Sequence, residues 1–309
     1  MTRSFLLRAS LLGVSLALSL EGLACSSASD GGAIALDPSG DARAETAPDL
    51  DGGLRVDGGL DAPLDEVAPT DGAGPTSHEL TAIIRDFKVY DAGDATTIAD
   101  FENVPKVDPV YGPWDDHGIV EARLGADHTP VYRSATTTLT THGKAAFDTW
   151  FHDVAGVNIA VRYPMPLTPK PDGSYGYDSE QTGVPLSSSD PTKMFFPLDE
   201  GTPYATAFGN QGMPHDYSFT VELHTTFVYR GGEFFAFRGD DDVFVFIDDK
   251  LVIDLGGIHG PEPATIHADD LGLEKGKEYP LDFFSAERHV VGSNILFSTT
   301  LDLKPGTIR

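Results

Sequence analysis

The stretch from Phe234 to Gly260, FFAFRGDDDVFVFIDDKLVIDLGGIHG, constrains the fold more than any other part of the chain. It holds three short runs of β-branched and aromatic residues, Glu233 to Phe237, Val243 to Ile247 and Leu251 to Leu255, separated by Gly and Asp clusters that mark turns. The spacing predicts three consecutive antiparallel strands. In the middle run Val243, Val245 and Ile247 share one face and Phe244 and Phe246 the other. A strand that is apolar on both sides belongs at the centre of a sheet with both faces covered.

Asp240, Asp241 and Asp242 interrupt this run immediately before the central strand. Like charges so close together repel, so something should compensate them. A hard cation is one candidate, since calcium takes about 6–8 oxygen ligands. The other is a solvated turn in which one Asp bonds the local backbone and its neighbours point into water, and the residues alone favour that turn.

Elsewhere from Leu80 onward, strands are expected at Ala82 to Tyr90, Phe219 to Tyr229, Glu278 to Ala286 and Ile295 to Leu303. A further pair, Ile119 to Leu124 and Thr129 to Ser134, is expected across a turn at Gly125 to His128. Lys144 to Val154 is the best helix candidate, with Trp150 and Phe151 expected in a core. Tyr163 to Ser189, rich in Pro, Gly and Ser, reads as a long loop that exposes Tyr175 and Tyr177. Many short strands and scarce helix predict an all-β antiparallel sandwich with one or two short helices and long loops.

The N-terminal residues carry no such pattern. Residues 1–24 combine Arg3 and Arg8 with an apolar run from Leu11 to Leu20 and a small-residue end, which reads as an export signal. That run is too short to be taken as a membrane span. Cys25, the single cysteine, follows it, and Gly22 to Cys25 resembles a bacterial lipobox with Gly22 in the place of its usual leucine. A lipid on Cys25 would anchor the protein to the cell envelope, and the alternative is a secreted chain. Residues 25–77 are rich in Asp, Gly, Ala and Pro and include the near-repeat DGGLRVDGGLDAP, so they are expected to be a disordered tether ahead of a folded domain at 78–309.

GDDDVFVFIDDKLVIDLGGIHG resembles the signature of the fibro-slime domain, itself similar to the protective-antigen-type β-sandwich of toxins, glycosidases and adhesins. The resemblance extends to IIRDF (Ile83 to Phe87), DFEN (Asp100 to Asn103), FDTWFHDVAGVN (Phe147 to Asn158), MFFPLD (Met194 to Asp199) and FFSAERHVVGSN (Phe283 to Asn294). It implies a carbohydrate-binding site in which two adjacent aspartates joined by a cis peptide hold calcium, and the ion contacts vicinal sugar hydroxyls. Asp240 and Asp241 match that pair, with Asp242 where the wider superfamily has glycine. The implied metal set is Asp240, Asp241, Asp242 and Asn294, and the implied ligand-binding set is Glu287, Arg288, Ser293, His259 and Gly257. Against these stand simpler readings: Glu287 and Arg288 as an ion pair, Asn294 as a turn residue, His259 as a loop hydrogen-bonder.

A formal charge of −27 argues against nucleic acid or an anionic membrane surface as partner, leaving a lipid anchor as the one route to a membrane. No Gly-x-Ser-x-Gly elbow, His-Glu-x-x-His motif or phosphate loop occurs, and the resemblance is to a non-catalytic module. No catalytic residue is assigned. A glycoside-processing enzyme using Glu287 with the Asp cluster is the weaker alternative, and a structural matrix module without sugar recognition is the stronger one.

Overall fold

The computed structural model describes residues 79–101, 114–187, 189–199, 204, 215–290 and 292–305. All of them fall in the second of two compact units, Ala68–Arg309. The export signal, Cys25 and the Asp/Gly-rich segment lie outside the described residues.

Among the described residues, ten strands of four residues or more carry the architecture: β1 (Glu79–Phe87), β2 (Asn158–Pro166), β3 (Tyr175–Asp178), β4 (Phe219–Val228), β5 (Phe234–Gly239), β6 (Asp242–Ile247), β7 (Lys250–Leu255), β8 (Glu262–His267), β9 (Glu278–Glu287) and β10 (Ile295–Thr299). They form an antiparallel six-stranded sheet in the order β7-β6-β9-β4-β1-β2. A five-stranded sheet runs β8-β5-β10-β3 and ends on the short strand Thr168–Pro169. The fold is the predicted all-β antiparallel sandwich, with helices of only four residues at Lys144–Phe147 and Ser179–Thr182.

The alternation in β6 explains how the layers stack. Val243, Val245 and Ile247 join Val221, Leu223, Leu281 and Phe283 in a core that the second sheet closes with Phe235, Phe237, Ile295 and Phe297. Phe244 and Phe246 point the other way, into a second core with Phe87, Phe101, Phe147, Trp150, Phe151 and Phe284. Segments within 98–101 and 119–151 thus cover the outer face of the larger sheet, and β6 is buried at every position. The β6–β7 hairpin closes on Asp248 and Asp249, both at positive φ (54° and 59°), as a two-residue turn between twisted strands requires.

Four expectations need correction. The three runs around the Asp cluster are not three neighbours in one sheet: β5 lies in the smaller sheet, and the chain crosses to the larger one through Asp240 and Asp241 before β6 begins. Residues 163–189 are not one long loop, because β2 extends to Pro166 and β3 pairs with β10, leaving Tyr175 and Tyr177 buried. The helix at 144 stops at Phe147, and Trp150 and Phe151 reach the core from the turn beyond it. Residues 119–134 meet as expected but through a single bridge, Val120 to Tyr132. Pro130, with no N–H to give, interrupts the second of those runs.

β3 lies against β10 because Gly176 has no side chain: a Cβ there would sit 1.9 Å from the carbonyl oxygen of Phe297. Gly176→Ala is therefore expected to destabilise the protein by about 1–3 kcal/mol, as forced overpacking does. A urea midpoint unchanged from wild type would contradict this packing.

Candidate functional site

Three loops converge where the chain crosses between the sheets. The first is the crossing itself, Asp240–Asp241, whose peptide bond is cis. β5 and β10 bring it beside the second, the connection from Arg288 to Asn294, with Gly239 opposite Ile295 in the ladder. Gly239 allows this approach, since a Cβ would lie 2.3 Å from the Asn294 carbonyl oxygen. The third is Gly256 to Gly260, just after β7. Its Gly257, at φ 132°, passes so close to Trp114 that a Cβ would meet that residue's carbonyl oxygen at 2.3 Å.

The second and third loops supply N–H donors to the aspartates. Asp240 takes the Asn294 amide on Oδ1 and the Asn294 side-chain amide on Oδ2 at 3.0 Å. Asp241 accepts from the backbone of His259 at 3.1 Å and of Arg288 at 3.2 Å. Asp242 accepts from Gly257 N at 2.8 Å and from Arg288 Nε at 2.6 Å. The three side chains are 0–5 % exposed, so the solvated turn that local composition favours does not form.

Among the described residues Arg288 is the single guanidinium bonded to these carboxylates, and it is wholly buried. Its NH1 donates to the carbonyls of Thr140 (2.9 Å) and Asp100 (3.2 Å), and its plane lies over the Trp150 ring at 4.6 Å. Asp100 in turn accepts from Trp150 Nε1 at 3.1 Å and from the His142 ring at 2.8 Å. The expected Glu287–Arg288 ion pair is absent, because Arg288 spends its charge on Asp242.

Glu287 is 2 % exposed, and neither carboxylate oxygen completes a hydrogen bond. The Ser293 hydroxyl and the His289 amide are near enough to favour its ionised form slightly, but not placed for a bond of normal geometry. Burial, then the charges of Asp241 and Asp240, push its pKa well above the usual carboxylate range. Burial likewise raises Asp241 strongly and Asp240 to about 6, and raises Asp242 against the pull of Arg288. His259 places its ring nitrogens 2.9 Å from the Gly260 carbonyl and 3.2 Å from that of Leu255, which a doubly protonated ring satisfies. Burial opposes that charge, but the two carbonyls and the neighbouring aspartates prevail and raise its pKa.

The structure thus gathers the metal and ligand-binding candidates named from sequence, in different roles. Gly257 and His259 serve Asp242 and Asp241 through backbone N–H groups, and Asn294 clamps Asp240. Ser293 is buried in the same connection, and its carbonyl holds Phe195 N at 2.7 Å. Asp100, Thr140 and Trp150 were not singled out for the site, although DFEN and FDTWF were visible as motifs. Trp114 was missed as well; it packs edge-on against His289 with ring centroids 6.2 Å apart.

Four buried carboxyl groups converge on one guanidinium and one imidazole, burial disfavours their ionisation in the absence of further positive charge, and the lone pairs they offer are all on oxygen. The orphaned Glu287 oxygens and this all-oxygen set fit a hard cation. Among the described residues, no group of three or more His, Cys, Asp or Glu side chains is already arranged as a metal cage. An ion here would therefore also draw on the Asn294 amide oxygen, backbone carbonyls or a bound ligand.

Residues 203–307, about a third of the chain, match the PA14 domain family model. Among curated proteins the chain is 37 % identical over 230 residues to protein psiD of Dictyostelium discoideum, covering 72 % of this chain and 42 % of that one. It is 38 % identical over 194 residues to protein psiQ of the same organism, covering 60 % and 18 %. These are homologues over the shared region, and the chain spans less than half the length of either. Among solved structures, a PA14 sugar-binding domain from an RTX adhesin aligns over 72 % of this chain and 90 % of that one, at 8 % identity and a TM-score of 0.30. At that score it bears no weight for fold or function.

Proposed function

We propose that the sandwich is a non-catalytic recognition module that binds carbohydrate through a calcium ion held at Asp240 and Asp241, on an exported protein of the cell envelope or its surrounding matrix. The observation that carries this reading is the convergence of four buried carboxyl groups, from the sheet crossing, the start of β6 and the end of β9, on a single guanidinium among the described residues, so that their ionisation together would leave negative charge in excess. A divalent ion would offset that excess, and calcium retains coordination positions for ligands from outside the protein. Vicinal sugar hydroxyls are ligands of the right hardness and spacing, in keeping with the fibro-slime resemblance and the PA14 match. Asp240, Asp241 and Asn294 would hold the ion, while Asp242, bonded to Arg288, orients them.

Binding of calcium to the folded state alone should raise stability by about 2.7 kcal/mol at a calcium concentration 100 times Kd. The test is a melting curve at increasing calcium, followed by a glycan array with and without chelator. Glycan signals that vanish in chelator and in Asp241→Ala, with the fold intact, are the expected result. A melting point indifferent to calcium would sink the proposal.

One observation favours a second reading, a structural matrix module without a sugar ligand. All six oxygens of the three aspartates already accept protein N–H groups, which is what a purely structural loop clasp requires. Calcium-dependent stability without any glycan signal would select it.

A further inference from the structure

We infer that Glu287 is a ligand of the proposed cation and the side chain that most determines its affinity, an inference that rests on the calcium reading above. Glu287 ends β9, directly after Ala286, whose register partner is Asp242. The next backbone N–H, that of Arg288, is tied to Asp241 Oδ2, so the chain at this point is pinned to the aspartate pair. The Glu287 side chain is buried close enough to Asp240 and Asp241 for their charges to act on it.

The available lone pairs single it out. Every aspartate oxygen already accepts one hydrogen bond, so each can offer a metal only what remains. Glu287 is the one carboxylate here with both oxygens uncommitted. Among the described residues it forms no ion pair: Arg288 is engaged by Asp242, Thr140 and Asp100, and both His259 ring nitrogens face carbonyls. A buried polar group without partners is costly, and such a group beside a carboxylate pair is accounted for when an ion completes its bonding.

The test is calcium titration calorimetry on the whole protein, paired with terbium luminescence excited through tryptophan. Trp114 and Trp150 flank the site through His289 and Arg288 and should sensitise a lanthanide there. Glu287→Gln keeps the shape and removes the charge. Outer-shell changes alone weaken metal sites by about 10–100-fold, so calcium affinity should fall by at least about tenfold, with the terbium signal reduced in step. In chelator the variant should melt no lower than wild type, because an uncompensated buried carboxyl has been removed. Should Glu287→Gln fail to fold, Glu287→Asp, which retains the charge but shortens its reach, is expected to weaken calcium binding as well. Wild-type calcium affinity in the folded variant would overturn the role of Glu287 and leave the calcium reading standing. Absence of calcium binding by the wild type would overturn both.

Discussion

Replacing Arg288 with methionine is expected to lower stability by about 3–5 kcal/mol, the cost of stripping one partner from a buried ion pair. Methionine fills much of the same volume and remains apolar over Trp150, so the loss isolates charge from packing. What it leaves behind is Asp242, 0 % exposed, with a Gly257 N–H on one oxygen and nothing in place of the 2.6 Å bond to Arg288 Nε on the other. The carbonyls of Thr140 and Asp100 lose their shared donor at the same time. The double variant Arg288→Met/Asp242→Asn removes both charges and should recover part of the loss, since a buried pair replaced as a unit is often near neutral. Urea midpoints for wild type, both single variants and the double variant give the coupling directly. A loss below about 1 kcal/mol in the single variant would mean that Asp242 is neutral in the native state and that the pair is not holding the crossing in place.

The same residue shows why the site was only half legible from sequence. Arg288 joins three motifs far apart in the chain: Asp100 in DFEN, Trp150 in FDTWF, and its own position in FFSAERHVVGSN. Each can be recognised on its own, but their meeting point depends on how segments 98–101 and 119–151 fold over the larger sheet, which no local pattern states. The burial of Asp240 to Asp242 was hidden for the same reason. Three adjacent aspartates are a turn signal by composition, and only donors arriving from residues 257, 259, 288 and 294 turn them into a buried cluster.

The fold was more legible where a single strand carries its own pattern. Strict alternation from Val243 to Ile247 predicts two covered faces, and two cores are there. Alternation does not say which sheet a strand joins, so the crossing between β5 and β6 was read as a turn within one sheet. β3 was missed because Tyr175 and Tyr177 sit among Pro, Gly and Ser. Their strand exists through pairing with β10, at a Gly176 that reads as a breaker and acts as a close-contact point.

Stability should also fall in alkaline solution through a cluster remote in sequence from the Asp run, on the outer face of the larger sheet. His224 donates from Nδ1 to Asp282 Oδ1 at 2.6 Å and from Nε2 to Glu222 Oε1 at 2.7 Å, while the other Glu222 oxygen takes Arg85 NH1, whose Nε reaches Asp153 at 2.9 Å. Burial by itself would lower the His224 pKa, but the bonds to Asp282 and Glu222 outweigh it and raise the value from 6.5 to about 9. Glu222 shows the counterpart: burial would raise it, and the bonds to His224 and Arg85 leave it lowered. A basic group with a raised folded-state pKa contributes its full stabilisation below the unfolded value near 6.5, and that contribution is lost as pH rises through about 9. A shift of this size corresponds to roughly 3 kcal/mol. Asp216, lifted to about 8 by burial and by Asp86, loses its proton in the same window, so the comparison with a variant carries the assignment. His224→Gln keeps one donor but no titratable charge. It should be less stable than wild type at about pH 6.5 by up to roughly 3 kcal/mol, and the gap should close by about pH 10. Urea midpoints of the two proteins that run parallel across this range would show that His224 is neutral between its two carboxylates.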